Sequence, residues 1–262
     1  MRDDLLSKLL SSKKYREVCP DTVRRIWNEC AGKYKKPGDV DRAAREALHG
    51  ITAAFMTGEE ALQLARDMQA WHCDKTDIGL ERMLGRHAST RERLPLSDTD
   101  ALYGRLFGIT GRPRSVLDLA CGINPLYLGA RGIHAVGVDI SGGAVEAVNR
   151  FGQVYGMPVR AVCADLLSPG AIPDGAYDVA LLFKLLPLLE RQRAASAMDV
   201  MRAVNAKWLV ASFPTRTLGG RNVGMAAHYA SWMEGHIPPG RSLAGCFETA
   251  NELFYILKQD IG

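Results

Sequence analysis

The sequence predicts an α/β protein in which a helical segment precedes a doubly wound, mostly parallel β-sheet. Two observations carry this prediction. From residue 114 onwards, short apolar runs alternate with amphipathic stretches, as they do in successive βα units. Before that point, apolar residues recur at helical spacing and helix-starting residues precede them. We therefore divide the chain into a helical N-terminal extension, residues 1–95, and a sheet-containing domain, residues 96–262.

The helices of the extension follow from caps and periodicity. A helix that begins at Asp21 would bury one apolar face, formed by Val23, Ile26, Trp27 and Cys30. Residues 39–49 and 58–71 are rich in helix formers and are predicted to be helical. A further helix is predicted near 97–107, where Ser97 stands in a capping-box-like position.

The strands of the sheet follow from apolar runs that end in acids, glycines or turns. They are predicted at 115–120, 134–138, 159–163, 177–183, 207–213, 243–247 and 253–258. Helical stretches between them are predicted near 143–155, 189–204 and 222–234. The last two strands are separated only by a short polar turn, so we expect an antiparallel hairpin at the edge of the sheet.

Composition and cysteine usage narrow the class of protein. Of the 262 residues, 47% are hydrophobic and 24% charged, as in ordinary soluble proteins. We expect no membrane segment and no signal peptide, because long apolar runs are absent. The six cysteines lack Cys-x-x-Cys spacing, which argues against a zinc site and predicts a protein of the reducing cytoplasm. The histidines also lack the spacing of metal ligands. Cys121 and Cys163 are expected to be small core residues.

Charge is distributed unevenly along the chain. The net charge is +4, and residues 1–45 contain 12 Lys and Arg against seven Asp and Glu. A basic extension on an otherwise neutral domain indicates an anionic macromolecular partner, and a solvated helical surface remains the alternative. The basic candidates are Lys13, Lys14, Arg16, Lys33, Lys35 and Lys36.

Acidic residues stand at or near the ends of the first three predicted strands. They are Asp118, Asp139 and Asp165, and the first strand leads into a turn at Gly122. An acid at the end of the second strand of a βαβ unit is placed to accept the hydroxyls of a ribose. A dinucleotide site would need Gly-x-Gly-x-x-Gly at the first turn to hold a pyrophosphate. Here that turn has one glycine, so the pattern favours S-adenosylmethionine over NAD.

Methyl transfer from a sulfonium demands alignment more than charge neutralisation. The Asn/Asp-Pro-Pro-Tyr/Phe signature of enzymes that methylate exocyclic amines is absent after the fourth strand, which ends instead at Lys184. This lysine is placed to contact a base acceptor such as guanine O6, or a phosphate. Arg216 and Arg221 follow the fifth strand and would suit phosphate or base contacts. Phe213 either stacks on a flipped base or belongs to the core.

Five segments of the sequence resemble one family. They are HASTRERLP (87–95), VLDLACGINPL (116–126), FKLLPLLERQ (183–192), SFPTRTLGGR (212–221) and NELFY (251–255). Together, and in this order, they resemble the Arm/Rmt aminoglycoside-resistance 16S rRNA methyltransferases. The first-strand motif is generic, whereas STRERL and SFPTxxLGGR are far more specific. The helical front segment is similar to the rRNA-binding extension of that family.

The resemblance implies a fold and an activity. The fold would be that of a class I S-adenosylmethionine-dependent methyltransferase, a Rossmann-like, mostly parallel seven-stranded sheet with an antiparallel C-terminal hairpin. The activity would be methylation of N7 of one guanine in the decoding site of the assembled 30S subunit, giving aminoglycoside resistance. S-adenosylhomocysteine would be the product. No metal, membrane or oligomer would be required.

The resemblance also implies roles for individual residues. The target base would be positioned by Lys184, Arg216 and Arg221. The cofactor would be bound by Ala120, Gly122, Asp139, Asp165, Leu166 and Gln192, and either Arg91 or Arg93 would pair with its methionine carboxylate. Asp118 and Phe183 are further candidates for the cofactor site. The residues themselves leave two alternatives open: a methyltransferase for adenine N1, tRNA or a small molecule, and a non-catalytic RNA-binding protein with this fold.

Overall fold

The computed structural model of the protein describes residues 2–52, 56–215 and 225–260. The helices before the sheet are α1 (Arg2–Ser11), α2 (Pro20–Lys33), α3 (Pro37–Thr52), α4 (Gly58–Asp74), α5 (Asp77–Leu84), α6 (Ala88–Arg91) and α7 (Leu96–Thr110). Those within the sheet domain are α8 (Pro125–Ala130), α9 (Gly142–Tyr155), α10 (Leu186–Gln192), α11 (Ser196–Ala203) and α12 (Met225–Glu234).

The strands form one sheet in the order β3-β2-β1-β4-β5-β7-β6. Their bounds are β1 (Ser115–Leu119), β2 (His134–Asp139), β3 (Val159–Cys163), β4 (Tyr177–Phe183), β5 (Ala206–Pro214), β6 (Arg241–Glu248) and β7 (Glu252–Gln259). The first five strands are parallel to one another, and β7 runs antiparallel between β5 and β6. The predicted mostly parallel sheet with an antiparallel C-terminal hairpin is therefore confirmed.

Three hydrophobic cores organise the chain. Helices α4, α5 and α7 pack on one face of the sheet together with α8 and α9. Helices α10 and α11 pack on the other face. Helices α1–α3 bury a separate core of their own, which includes the predicted face of α2. We call α1–α3 the N-terminal bundle. The division at residue 95 stays a prediction, since α4 and α5 share a core with the sheet.

Several local predictions were wrong, each for a physical reason. Ser97 does not cap α7, because Pro95 is the N-cap residue and the helix already begins at Leu96. The helix predicted at 189–204 is two helices, separated where Ala195 adopts a positive φ of 65°. Cys163 is exposed, because β3 is an edge strand, whereas Cys121 is buried as predicted. Within the described ranges, no helix is long and apolar enough to cross a membrane.

Candidate cofactor and target-base site

The carboxyl ends of the parallel strands bring the predicted site residues to one edge of the sheet. Strands β2, β1 and β4 are neighbours, so residues that follow them lie side by side. Because β7 is antiparallel, its first residue, Glu252, pairs with Pro214 at the end of β5 and reaches the same edge. Ligands of open α/β sheets bind at this edge, near the point where the strand order reverses.

The loop after β1 is shaped to let a ligand approach its backbone. Ala120 and Gly122 have positive φ values of 57° and 49°. The amide of Gly122 donates to Asp139 Oδ2 at 2.8 Å, which ties the loop to the end of β2. A Cβ atom on Gly122 would lie 2.7 Å from the His87 ring, so this position requires glycine for space as well as conformation.

Asp139 is held by backbone amides rather than by a cation. Its Oδ1 accepts from the Ser141 amide at 2.8 Å, and its Oδ2 accepts from Gly122. Burial raises the pKa of this carboxyl, and the hydrogen bonds from the Gly122 and Ser141 amides oppose that rise. Each carboxylate oxygen has a second lone pair, so both oxygens can still accept from a ribose hydroxyl.

His87 was not predicted as a site residue, and its ring packs beside the glycine loop. Its Nδ1 lies 2.8 Å from Ser89 Oγ and accepts from the Ser89 amide at 3.3 Å. Burial lowers the pKa of the His87 imidazole, so the ring is neutral at physiological pH. The neutral ring packs against the loop at Gly122 and adds no charge to the site.

Asp118 lies beneath the loop in a buried polar chain. Asn124 Nδ2 donates to Asp118 Oδ2 at 2.7 Å, and the Tyr103 hydroxyl donates to Asn124 Oδ1 at 2.9 Å. Burial raises the pKa of Asp118 to about 7, although the Asn124 hydrogen bond and Arg93 oppose it. Asp118 therefore supports the loop from below and changes its charge near neutral pH.

This pKa makes a testable contribution to stability. The carboxyl titrates near 3.8 in a model peptide and near 7 in the folded protein, so between those pH values the folded state holds more protons. Its contribution is therefore fully present below about pH 4 and is lost as the pH rises through about 7. Between pH 5 and pH 8 the wild type should lose roughly 2–3 kcal/mol of unfolding free energy as Asp118 ionises. Asp118→Asn should not show this loss, because asparagine does not titrate. Urea unfolding of both proteins at the two pH values checks this, and a pH-independent difference would contradict it.

Asp165, beyond the end of β3, and Gln192, in α10, are linked through a shared arginine. Asp165 is buried, and its Oδ1 accepts from the Leu167 amide at 2.9 Å, while Leu166 is half-buried beside it. Arg25 of the N-terminal bundle donates through Nε to Asp165 Oδ2 and through Nη2 to Gln192 Oε1, each at 2.8 Å. These two predicted cofactor residues are thus joined through a residue that sequence reasoning missed.

A second cluster lies at the end of β4. Arg93 donates through Nε and Nη2 to the two oxygens of Glu252 at 2.9 and 3.1 Å. Its guanidinium also stacks on the Phe183 ring, 4.5 Å from the centroid. Burial would raise the pKa of Glu252, but Arg93 and Lys184 hold it below its usual value. Both partners are therefore charged, although their side chains are almost fully buried.

Lys184 follows β4 with a positive φ of 54°. Its amide donates to Ser212 Oγ at 3.1 Å, and the Ser212 hydroxyl donates to Glu252 Oε2 at 2.6 Å. Its ammonium contacts Glu92 and lies 3.8 Å from Glu252 Oε1. The lysine predicted to face the target base is thus fixed at both its backbone and its side chain.

Arg91 and Arg93 are the two candidates for pairing with the methionine carboxylate of the cofactor, and their surroundings in the structure differ. Arg93 is buried and neutralised by Glu252, whereas the Arg91 side chain is 54% exposed and pairs weakly with Glu60 at 3.4 Å. Arg91 keeps most of its hydrogen-bonding capacity for a ligand. Their roles toward a cofactor stay predictions.

The remaining predicted residues fall into three sets. Arg216 and Arg221 lie outside the described residues. Phe213 is 1% exposed and packs against Tyr229 and Trp232, so it belongs to the core and does not stack on a base. The six basic candidates of the extension are all exposed. Lys14 contacts His49, Arg16 pairs with Glu17, and Lys35 and Lys36 lie between α2 and α3.

Sequence reasoning missed Arg25, His87, Glu92, Ser212 and Glu252 as individual site residues. Only one of them carried a usable signal. Glu252 stands at the start of a strongly apolar run that forms the buried β7. An acid that is buried with such a strand needs a cation or hydrogen-bond donors beside it. In the part of the chain that the structure describes, no group of three or more His, Cys, Asp or Glu could hold a metal ion.

The sheet order, the acidic strand ends and the glycine turn together define a class I S-adenosylmethionine-dependent methyltransferase fold. Residues 11–256 match the family described as Ribosomal RNA methyltransferase (FmrO), and the chain belongs to that family. A 16S rRNA (guanine(1405)-N(7))-methyltransferase of Serratia marcescens is 42% identical over 259 residues, which cover 98% of both chains.

Solved structures show the same likeness across the whole length. The 16S rRNA methyltransferase RmtF, solved in complex with S-adenosyl-L-homocysteine, is 43% identical with a TM-score of 0.89, and 98% of each chain is covered. The 16S rRNA methylase RmtB is 38% identical with a TM-score of 0.86, and 99% of each chain is covered. The family resemblance expected from the five sequence segments is confirmed.

Proposed function

We propose that this protein transfers a methyl group from S-adenosylmethionine to N7 of a guanine in the aminoglycoside-binding decoding site of 16S rRNA. Its substrate would be the assembled 30S subunit, and the modification would confer aminoglycoside resistance. The observation that supports this most strongly is 42% identity, over 98% of the chain, to a relative named for this reaction. We further propose that it acts in the cytoplasm, without a metal and without obligatory oligomerisation.

The residues present fit such a cofactor. The His87 ring packs where a Cβ atom on Gly122 would lie, which only glycine allows, and the positive φ values of Ala120 and Gly122 leave loop backbone available to a ligand. Asp139 would accept the ribose hydroxyls, and Asp165 with Leu166 would hold the adenine. Phe183 lies beside Arg93 at the end of β4, where the methionine part would lie.

The chemistry asks the protein to orient groups and to exclude water. When bound, the cofactor supplies an electrophilic methyl group on a sulfonium, whose departure as a neutral thioether needs no acid. The N7 lone pair of guanine is free to attack, so no side chain must remove a proton first. Lys184 would donate to the guanine O6 and set the angle of attack, since alignment is the main source of rate in such a displacement. Arg216 and Arg221 would contact the flanking phosphates.

Docking on rRNA would use the exposed basic residues of the N-terminal bundle. We expect the triple variant Lys14→Glu, Lys35→Glu and Lys36→Glu to weaken 30S binding at least tenfold. Its logarithmic salt slope should fall by up to about three units, because phosphate contacts release counterions. Affinity for S-adenosylhomocysteine should stay unchanged. Filter binding across a salt series and calorimetry measure these quantities.

A charge-matched control keeps this test specific. Arg160, Arg202 and Lys258 are exposed positions outside the bundle, and their change to Glu alters net charge by the same amount. The control should keep most of its 30S affinity. Equal losses in both triple variants would mean that only overall charge matters, and the bundle would then be a solvated surface.

Mapping of the methylated nucleotide tests the function itself. Purified 30S subunits are incubated with the protein and labelled S-adenosylmethionine, then analysed by primer extension and mass spectrometry. One N7-methylguanine in the decoding site is the expected result. Label on adenine N1, or on tRNA instead of 30S, would move the target within the methyltransferase class. Failure to bind S-adenosylhomocysteine at all would favour a non-catalytic RNA-binding protein.

A further inference from the structure

The N-terminal bundle is attached to the sheet domain beside the proposed cofactor pocket. The Cys19 amide donates to Ile140 O at 2.8 Å, and the Gly142 amide donates to Glu17 O at 2.6 Å. Val18 and Ser141 form an isolated antiparallel bridge between these two bonds. The connection thus begins one residue beyond Asp139, the predicted ribose acceptor. A Cβ on Gly142 would lie 3.0 Å from Glu17 O, so glycine allows the close approach.

Arg25 makes a second attachment at the adjoining strand end. Its side chain is 13% exposed, although it belongs to a surface helix of a small bundle. Its Nε and Nη2 atoms contact Asp165 and Gln192, and Nη1 contacts Glu29 Oε1 on its own helix at 3.1 Å. All three donor nitrogens are therefore committed, and two of them point at predicted cofactor residues.

These contacts orient the groups that would receive the adenine. Gln192 Oε1 faces Arg25 while its Nε2 donates to Leu188 O at 3.2 Å, so both ends of the amide are fixed. Asp165 is 4% exposed and would be left without a cation if Arg25 moved away. Its oxygens keep free lone pairs while Arg25 is bound, so the pair is compatible with an adenine amine.

We propose that Arg25 is a positioning residue that completes the adenine end of the cofactor pocket and couples docking of the N-terminal bundle to cofactor binding. The proposal rests on the cofactor pocket of the proposed function. A ligand that needs Asp165 and Gln192 in their present orientation binds better when the bundle is docked. Reciprocity then requires that the ligand strengthen docking by the same factor. A bundle that carries the proposed rRNA-contacting lysines would thus be held about as much more firmly on a loaded enzyme as the ligand is held by a docked bundle.

The test compares Arg25→Ala with Arg24→Ala. Arg24 is the matched control because it is the preceding residue of α2, is 54% exposed, and pairs only locally with Asp21. Calorimetry with S-adenosylhomocysteine should give a dissociation constant about tenfold higher for Arg25→Ala, within the usual range of coupling energies. Arg24→Ala should stay within twofold of wild type. Arg25→Lys, which keeps the charge but not the fork, should fall between them.

Amide hydrogen exchange provides a readout that needs no turnover. In wild type, saturating S-adenosylhomocysteine should slow exchange of the Cys19 amide about tenfold, because its bond to Ile140 O opens when the bundle undocks. Arg25→Ala should lose this ligand-dependent protection while its circular dichroism stays native. A dissociation constant equal to that of Arg24→Ala, or protection that persists in Arg25→Ala, would overturn the proposal.

Asp139→Ala separates this proposal from the one on which it rests. If Asp139→Ala weakens binding and Arg25→Ala does not, only the role of Arg25 is wrong. If Asp139→Ala binds as tightly as wild type, the cofactor pocket itself is misplaced, and the proposed function loses its structural support.

Discussion

Replacing Arg93 by methionine should lower the free energy of unfolding by about 3–5 kcal/mol, because it leaves the Glu252 carboxylate buried without its main partner. Ser212 and the more distant Lys184 cannot supply the two guanidinium hydrogen bonds that would be lost. Arg91→Met is the matched control, since Arg91 lies two residues away and makes an exposed ion pair. Its cost should stay below about 1 kcal/mol. Denaturant unfolding measures both.

The double variant Arg93→Met with Glu252→Leu distinguishes a lost charge partner from lost packing. It removes both charges, so no ion stays buried, and it should recover part of the stability lost in Arg93→Met. If the double variant loses as much unfolding free energy as Arg93→Met and Glu252→Leu lose together, the pair contributes through shape alone. Equal destabilisation by Arg91→Met and Arg93→Met would also contradict the central role of Glu252.

Replacing Lys184 by alanine should reduce methyl transfer to 30S subunits by about 100-fold, the usual cost of a misplaced reacting group. Affinity for S-adenosylhomocysteine should change less than about twofold, because the lysine is assigned to the target base. Lys207→Ala serves as control, since Lys207 lies at the opposite end of the sheet beside Asp178. Single-turnover rates with labelled cofactor measure the effect. Wild-type transfer by Lys184→Ala would refute the assignment.

Backbone strain at Lys184 offers an internal check. Its φ of 54° is unfavourable for any residue with a Cβ, by about 1–2 kcal/mol. Lys184→Gly should therefore be more stable than Lys184→Ala by a similar amount, while both lose methyl transfer. A site that keeps a strained lysine at a strand end sacrifices stability for the placement of one ammonium group.

The parallel part of the sheet and one half of the site were predictable because their determinants are local in sequence. Apolar runs that end in Asp118, Asp139 and Asp165 identify three strands and the edge at which ligands bind. Lys184 was found in the same way, as a charge directly after a buried strand. The seven strand positions follow from the same patterns, and each strand end in the structure lies within two residues of the predicted one.

The other half of the site depends on contacts between distant segments, which periodicity does not report. Arg25 and Asp165 are 140 residues apart in sequence, and Arg93 and Glu252 are 159 residues apart. The break between α10 and α11 escaped prediction for a different reason: Ala195 takes a left-handed conformation without the glycine that usually announces it. Cys163 was wrongly predicted to be a core residue because the pattern of residues 159–163 fits a central strand as well as an edge strand.

The pairing of Arg93 with a residue on β7 has a consequence for how the chain reaches its native state. Until β7 pairs with β5, the Arg93 guanidinium lacks the Glu252 carboxylate, and it must stay in water. The first five strands can associate before this step, but burying the unpaired Arg93 guanidinium at the end of β4 would be too costly. We expect the site to mature last, after the parallel strands have assembled, as contacts of large sequence separation generally do. A folding chain would thus acquire its scaffold well before it acquires the capacity to modify RNA.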